Sequence, residues 1–240
     1  MHSWKVLFPL CVLLISSFRC MPASAESPVL GFVMGMSRAG TTWMAKALGS
    51  HPEVVAFGET LYWGKKYWAP SGGVYGRKEI EQIIEDLPGT ILSEGEAASL
   101  QEILDRRAVL KELGEASPRA LFDWISQAVA AHEGKTHAVE KTPHHVNYLD
   151  RIVDAYPDSR FVVMARAPYE FMLSYKHQGD RKPEEVRQEF EELYHPVGCA
   201  LVYRGYARSI RSALHQYPAR TLLVTLRDVK ADSKEVLGCV

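Results

Sequence analysis

The feature that most constrains the fold is an apolar run that leads directly into a pair of glycines. Residues 29–34 (VLGFVM) are almost entirely apolar, and Gly35 and Gly40 follow with four residues between them. The next segment, Thr41 to Leu48, has a helix-like composition and is ended by Gly-Ser-His-Pro at 49–52. A continuously apolar run is typical of a strand buried on both faces of a parallel sheet. The order strand, glycine loop, helix therefore predicts a sheet with helices packed on its faces.

Strand-like and helix-like segments alternate along the rest of the chain. Short apolar runs predict further strands at residues 54–57, 136–140, 161–165 and 222–226. Periodicity and capping residues predict helices at residues 78–87, 99–113, 118–132, 144–155, 168–178, 184–193 and 202–216. Such alternation is typical of βαβ units, whose strands run parallel. We therefore predict an α/β fold of the P-loop type, with three layers and a central parallel sheet flanked by helices.

Length, charge and cysteine spacing narrow the range of functions. A chain of 240 residues with an apolar fraction of 47% can bury one sizeable core. The formal net charge of −1 argues against bulk attraction to nucleic acid or to an acidic membrane, so any basic site has to be local. The four cysteines lack the spacing of metal ligands or of a disulfide framework. We therefore expect no nucleic-acid partner and no bound metal.

The first 25 residues differ in composition from the remainder. Lys5 precedes an apolar stretch from Val6 to Phe18, and Ala-Ser-Ala at residues 23–25 has the form of a cleavage site. This pattern predicts a signal-type leader at 1–25, a functional domain at 26–240, and a location in the secretory pathway or a membrane-associated lumen. The leader is short for a membrane span, so we expect membrane contact only through an uncleaved leader. If translation starts at Met21 instead, the protein is cytoplasmic.

The candidate binding and catalytic residues follow the predicted strands at their carboxyl ends, where parallel sheets bind ligands. They are Arg38, Ala39, Gly40, Thr41 and Thr42 after the first strand, Glu59 after the second, Lys141 after the third, and Arg166 with Ser174 after the fourth. We expect these residues to surround one site.

The loop between the first strand and the first helix is suited to an anion. Its two glycines allow the backbone to approach a ligand closely, and the amide groups of a helix N-terminus bind phosphate. Arg38 adds a planar guanidinium, and Thr41 and Thr42 add hydroxyl donors. We therefore expect this loop to bind a phosphate-like group.

The same loop disfavours a magnesium-dependent phosphotransferase. A nucleotide triphosphatase carries a lysine directly after the second glycine of its loop, where this chain has Thr41. The nearest acidic candidate for a magnesium partner is Glu140, which is followed directly by Lys141. A kinase-like phosphotransferase stays open as an alternative that a magnesium requirement would decide.

Arg166 and Ser174 suggest a second phosphate. Arg166 leaves the end of a buried strand, and Ser174 comes eight residues later, about two turns along the next helix. This spacing brings both side chains onto one anion only if the helix starts with an offset or bends. Together with the glycine loop, the pair predicts a nucleotide that carries phosphates at two ends.

Three segments of the chain resemble sulfotransferases that use 3′-phosphoadenosine 5′-phosphosulfate (PAPS). They are SRAGTTWMAKALGSHPEVVAFGE, EKTPHHVNYLDRIVDAYPDSRFVVMARAPYEFMLS and LLVTLRDVKADSKEVL. The likeness covers residues 29–238 and is greatest to the protein-tyrosine sulfotransferase-like, Golgi-type and bacterial branch. It implies a metal-independent enzyme that moves a sulfuryl group from PAPS to an acceptor hydroxyl on a tyrosine, a carbohydrate or a small molecule.

The resemblance also implies roles for the residues that follow the strands. The loop from Arg38 to Thr42, which includes Ala39, Gly40 and Thr41, would hold the 5′-phosphosulfate. Arg166 and Ser174 would hold the 3′-phosphate. Glu59 matches the catalytic base of the family, and Lys141 matches a lysine that stabilises the transferring sulfuryl group, a task that Arg38 shares.

The chain departs from the family pattern at three places. Where the family often has a tyrosine-containing run near the last strand, this chain has Leu226-Arg227-Asp228-Val229. A basic residue four positions after the phosphate-binding serine is replaced by Gln178, and the chain stops at Val240, where relatives continue. A C-terminally shortened domain is therefore expected. A degenerate protein that binds nucleotide without catalysis is a further alternative.

The acceptor is not specified by the sequence. Residues 60–135 are expected to shape its pocket. Four aromatic residues in this region, Tyr62, Trp63, Tyr67 and Trp68, could stack on a sugar or a phenol, but aromatic residues at this spacing more often pack in the core and in loops.

Overall fold

The computed structural model describes residues 27–67, 73–92, 98–192 and 194–240. The leader and Trp68 lie outside these residues, and the leader stays a prediction. The strands are β1 (Val29–Gly35), β2 (Val54–Gly58), β3 (Thr90–Ile91), β4 (His137–Lys141), β5 (Arg160–Ala165) and β6 (Thr221–Thr225). The helices are α1 (Thr41–Gly49), α2 (Arg77–Asp86), α3 (Leu100–Ile103), α4 (Arg106–Glu112), α5 (Pro118–His132), α6 (Leu149–Ala155), α7 (Pro168–Lys176), α8 (Glu184–Glu192), α9 (Pro196–Gln216), α10 (Leu226–Ala231) and α11 (Ser233–Gly238). Short 3-10 helices cover Pro143–Tyr148 and Gly179–Arg181.

The strands form one sheet in the order β3-β2-β4-β1-β5-β6. The prediction of a parallel sheet is confirmed for all strands except β3. The sequence did not predict β3, which runs antiparallel to β2 and pairs Ile91 with Phe57. Gly89, just before β3, has φ +136°, a conformation that L side chains rarely adopt. A strand of two residues is too short to produce a periodic pattern, so the sequence did not reveal it.

The core lies around β1 at the centre of the sheet. Phe32 of β1 is buried, and its ring centroid lies 6.0 Å from Phe122 of α5, 5.6 Å from Tyr156 and 6.2 Å from Phe161. Aromatic contacts at these separations add to the free energy of burial. This packing fixes β1, and with it the loop that β1 sends to α1.

The first helix is anchored at its C-terminal end. The Lys135 ammonium donates to the carbonyl oxygens of Gly49 at 2.7 Å and of Val54 at 2.6 Å. A cation at this end satisfies a terminal carbonyl and is favoured by the helix dipole. The N-terminus of α1 is thereby held at the opposite end, beside the carboxyl ends of the strands.

Two predicted helices differ in the structure. The segment predicted as one helix at 99–113 is α3 and α4, because the Asp105 carboxylate accepts the Arg107 N–H and begins a new helix. The helix predicted at 144–155 begins as the 3-10 turn and becomes α-helical only at Leu149, after Tyr148 leaves helical angles with φ −131°.

The C-terminal part contains more helix than expected. Helix α9 begins at Pro196 rather than at 202, since proline suits a first turn and the His195 ring accepts the Gly198 N–H. Helices α10 and α11 were not predicted; Thr225 and Asp232 cap their first turns. In the residues that the structure describes, no helix combines the length and the apolar character needed to cross a membrane.

Candidate active site

The carboxyl ends of β2 and β4 lie side by side at the edge of the sheet where the polar residues are expected. Gly58 pairs with Lys141, and the backbone N–H of Glu59 donates to the Lys141 carbonyl oxygen at 2.8 Å. A Cβ at position 58 would collide with that same oxygen, so glycine is required there. The close approach of these strand ends brings Glu59 and Lys141 together.

The Lys141 ammonium contacts the Glu59 carboxylate directly. The Lys141 side chain is 1% exposed, whereas the Glu59 side chain is 54% exposed. Because a buried ammonium without a partner is costly, the pair stabilises Lys141 in its place. The pair therefore presents an accessible carboxylate backed by a buried positive charge.

The backbone is strained at two of the candidate site residues. In the part of the chain that the structure describes, positive φ at a residue other than glycine occurs at Arg38 (64°), Glu59 (61°) and Leu61 (52°). Each such residue costs about 1–3 kcal/mol and persists only where its surroundings fix it. Two of the three are residues that the sequence assigns to the site.

Arg38, Arg166 and Ser174 meet at the glycine loop. The Arg38 Nε donates to the Ser174 Oγ at 3.2 Å, and the Arg166 Nη1 donates to the Arg38 carbonyl oxygen at 2.8 Å. Arg166 also pairs with Glu170 at 3.4 Å. Arg166 and Ser174 are eight residues apart in the chain, and Arg38 contacts both of them. Arg38 thus joins both residues to the glycine loop.

The N-terminus of α1 follows directly after the glycine loop that contains Arg38. Gly40 precedes the helix with φ +89°, and within the described residues no side chain caps the first turn. Uncapped amides at a helix N-terminus, with Thr41 and Thr42 beside them, suit an anionic oxygen. Glycine is favoured at position 40 by its φ of +89°, whereas the nearest atom to an added Cβ, the Leu226 Cδ1 at 2.9 Å, belongs to the tip of a side chain that can move aside.

Glu140 directly precedes Lys141 in β4 and is buried together with its partners. Its Oε1 accepts from the Thr60 hydroxyl at 2.8 Å and the Thr142 hydroxyl at 2.6 Å, and its Oε2 lies 3.0 Å from the His145 Nδ1. Burial by itself raises the pKa of the Glu140 carboxyl, but His145 and the two hydroxyls outweigh burial and hold the pKa below its ordinary value. Glu140 is therefore an ionised structural carboxylate here rather than an open magnesium ligand. Among the described residues, no group of three or more His, Cys, Asp or Glu side chains is placed to hold a metal ion.

Two residues of α9, Tyr206 and Ser209, take part in polar contacts next to the site that the sequence did not reveal. The Tyr206 hydroxyl lies 2.8 Å from the Ser37 Oγ in the glycine loop, and the Tyr206 ring packs against His144. The His144 Nδ1 accepts from Asn147 at 3.1 Å, and the Asn147 Oδ1 accepts from Ser209 at 2.7 Å. Partial burial, together with His145 and Lys65, lowers the pKa of His144. Tyr206 and Ser209 belong to a long helix whose pattern indicates packing and not a site.

The aromatic residues expected near the acceptor belong to the core. Tyr62 and Trp63 are buried, and both rings contact Phe122, with centroids 5.0 Å and 5.3 Å away. Tyr67 is also buried and stacks on Tyr62. The stacking hypothesis is therefore wrong for these three residues, and the core-packing alternative is correct.

The comparison with known families settles the class of protein. The family model described as "Sulfotransferase family" matches residues 31–238. The chain belongs to the sulfotransferase family. This confirms the resemblance drawn from the glycine loop, the EKTP segment and the residues after β5.

Solved sulfotransferases show the same fold. The sulfotransferase domain from the curacin biosynthetic pathway matches 89% of this chain and 72% of its own, with TM-score 0.54 and 15% identity. The sulfotransferase domain of the Synechococcus PCC 7002 olefin synthase matches 90% of this chain and 72% of its own, with TM-score 0.54 and 14% identity. At such identities the likeness establishes the α/β fold alone.

A curated relative is similar to part of this chain. The nodulation protein NoeE of Sinorhizobium fredii (strain NBRC 101917 / NGR234) is 28% identical over 149 residues. The match covers 62% of this chain and 31% of the relative. The chain therefore spans about a third of the length of this relative.

Proposed function

We propose that the protein transfers a sulfuryl group from PAPS to a hydroxyl group of an acceptor. The observation that carries this proposal is the contact between the buried Lys141 ammonium and the exposed Glu59 carboxylate. Tyr206 lies beside the glycine loop, since its hydroxyl is 2.8 Å from the Ser37 Oγ, and burial together with neighbours that include Glu59 raises the pKa of Tyr206. A base, a cation and an anion-binding loop thus lie at the same edge of the sheet, after the neighbouring strands β2, β4 and β1.

The proposed nucleotide contacts follow from the charges and hydrogen-bond donors of the glycine loop and of Arg166. The loop residues Arg38, Ala39, Gly40, Thr41 and Thr42 would hold the 5′-phosphosulfate through backbone amides, hydroxyls and the guanidinium. Arg166 and Ser174 would hold the 3′-phosphate, and their existing bonds to Arg38 support a continuous anion site. PAPS supplies the sulfuryl group, and adenosine 3′,5′-bisphosphate is the anion that leaves.

In the proposed reaction, the sulfur–oxygen bond to the leaving phosphate breaks and a bond forms between sulfur and the acceptor oxygen. The acceptor proton passes to the Glu59 carboxylate, which is exposed enough for a hydroxyl group to reach. Lys141 and Arg38 stabilise the negative charge that develops on the oxygens around sulfur. Fixed donors of this kind act without reorganisation in the transition state.

The first experiment is transfer of labelled sulfate from PAPS to a panel of phenols, sugars and peptides, with a metal chelator present. We expect at least one acceptor to be labelled, at the same rate with the chelator as with added Mg²⁺. Phosphate transfer from ATP that needs Mg²⁺, with no sulfate transfer, would favour the kinase-like alternative. Binding of adenosine 3′,5′-bisphosphate with no turnover on any acceptor would favour a degenerate binding protein.

A further inference from the structure

Glu140 occupies the centre of the sheet, one residue before Lys141. It pairs in register with Phe32 of β1 and Phe57 of β2, and its side chain is buried. Successive side chains of a strand point to opposite faces. Lys141, which meets Glu59, and Glu140 therefore lie on opposite faces of the sheet.

The partners of Glu140 are the direct neighbours of the proposed catalytic residues. Thr60, which follows Glu59, and Thr142, which follows Lys141, both donate to the same oxygen of Glu140. His145 contacts the second oxygen. One buried carboxylate therefore joins the segment after β2 to the segment after β4.

The same network holds the strained turn that begins at Glu59. The Thr60 hydroxyl accepts the Tyr62 N–H at 3.3 Å, and the His145 Nε2 accepts the Trp63 N–H at 3.3 Å. Because the Nε2 is an acceptor, the His145 proton lies on Nδ1 and is donated to Glu140. The turn contains two residues with positive φ, Glu59 and Leu61, and is thus fixed at two points.

We propose that Glu140 is a positioning residue, which through Thr60, Thr142 and His145 holds the Glu59 turn so that the Glu59 carboxylate meets the Lys141 ammonium. This role rests on the proposed function, in which Glu59 and Lys141 act on the transferred group. Glu140 itself touches neither the acceptor nor the nucleotide.

The alternative is a polar network that stabilises the core and nothing more. A stability role alone predicts a lower melting temperature with an unchanged transfer rate per folded molecule. A positioning role predicts a slower transfer step in a folded protein that binds nucleotide normally. A misplacement of about 1 Å can slow a reaction about 10²-fold, so the two roles separate clearly.

The most direct test compares Thr60→Val with Thr60→Ser. Valine keeps the shape of threonine but removes the bonds to Glu140 and to the Tyr62 N–H, whereas serine keeps the hydroxyl. We expect Thr60→Val to slow single-turnover sulfate transfer by about 10- to 100-fold, with affinity for adenosine 3′,5′-bisphosphate unchanged. We expect Thr60→Ser to retain most of the transfer rate of the unmodified protein.

A second measurement does not depend on catalysis. Amide hydrogen exchange of residues 59–64 reports directly on the turn, because the Tyr62 and Trp63 amides are bonded within the network. We expect Thr60→Val to speed exchange at these amides by about tenfold or more, which corresponds to the loss of one hydrogen bond at about 1.4 kcal/mol. Ser126→Ala is the control, since Ser126 is a buried hydroxyl outside the network.

Glu140→Gln tests the carboxylate itself. A glutamine amide can still accept from Thr60, but its NH2 group faces the Nδ1–H of His145. If the His145 proton moves to Nε2 to avoid this clash, it then faces the Trp63 N–H. The turn therefore loses a hydrogen bond in either tautomer of His145. We expect this variant to show the same slow transfer and the same fast exchange as Thr60→Val.

The outcomes are distinct. Faster exchange together with slower transfer in Thr60→Val supports the positioning role. Unchanged exchange, or an unchanged transfer rate in a folded variant, overturns it. If the unmodified protein transfers no sulfate at all, the proposed function fails, and the exchange measurement still decides whether Glu140 holds the turn.

Discussion

The Lys141 ammonium and the Glu59 carboxylate are 82 residues apart in the chain and in direct contact in the fold. Parallel pairing of β2 with β4 makes this contact possible, because it aligns Gly58 with Lys141 and places Glu59 one residue beyond. The lysine is buried and the glutamate is exposed. A charge that is costly to bury is therefore held beside the residue proposed to receive the acceptor proton.

Arg38 should be needed for transfer but not for folding. Its φ of 64° is strained for a side chain, so Arg38→Gly removes the guanidinium and the strain together. We expect sulfate transfer to fall by about 10²-fold or more, as when one transition-state donor is removed. The melting temperature should stay the same or rise. A variant that melts earlier and transfers normally would make Arg38 a structural residue.

Arg166 should select for the 3′-phosphate of the nucleotide. We expect the unmodified protein to bind adenosine 3′,5′-bisphosphate about ten- to a hundredfold more tightly than adenosine 5′-phosphate, as one charge-assisted contact allows. Arg166→Ala should abolish most of this preference in calorimetry. Arg160→Ala is the matched control, since Arg160 is exposed at the opposite end of β5. Equal affinity for both nucleotides in the unmodified protein would contradict this assignment.

The ionised state of Glu140 should make stability depend on pH. Its pKa is lower in the folded chain than its ordinary value of 4.5, so the ionised carboxylate stabilises the fold above that pH. This stabilisation is lost as the pH falls from 4.5 through the folded pKa. We expect the free energy of unfolding to differ between the unmodified protein and Glu140→Gln at pH 6, and the difference to shrink towards pH 3. A difference that is constant across this range would show that the charge contributes nothing.

Much of the fold was predictable because its central strands are buried on both faces. The runs at β1 and β5 are almost continuously apolar, and that pattern predicts strands of a parallel sheet without further information. The antiparallel strand β3 and the helices α10 and α11 are too short for periodicity to show. Their conformation depends on Gly89 and on side-chain caps such as Asp232.

For the proposed site, the sequence indicated which residues follow the strands but not how they contact one another. The rule that ligands bind at the carboxyl ends of strands selected Glu59, Lys141 and Arg166 from their positions alone. It did not indicate that Arg38 would join Arg166 to Ser174, because that contact depends on a left-handed residue in the loop. Contacts across the sheet depend on which strands are neighbours, and no local sequence pattern specifies the order of the strands.

Two residues show what local reasoning leaves out. Glu140 was considered only as a candidate for magnesium, since nothing in the sequence places Thr60 beside it. Tyr206 lies in α9, where an aromatic residue is expected to pack, and its contact with Ser37 is a property of the folded chain. In both residues the role depends on a partner more than 70 residues away.

Glu59 carries the central claim, and Glu59→Gln tests it. Glutamine keeps the shape and an oxygen for Lys141, but it removes the charge that accepts a proton. Glu53→Gln is the matched control, because Glu53 is an exposed carboxylate at the opposite end of the same strand. Nucleotide affinity should be unchanged in both variants.

The measurement is the single-turnover rate of sulfate transfer from PAPS, taken on the same preparations as the melting temperature. We expect Glu59→Gln to transfer sulfate about 10²- to 10⁴-fold more slowly than the unmodified protein, while Glu53→Gln transfers normally. If Glu59→Gln melts earlier but transfers sulfate at the normal rate once folded, Glu59 is a scaffold residue and the base lies elsewhere.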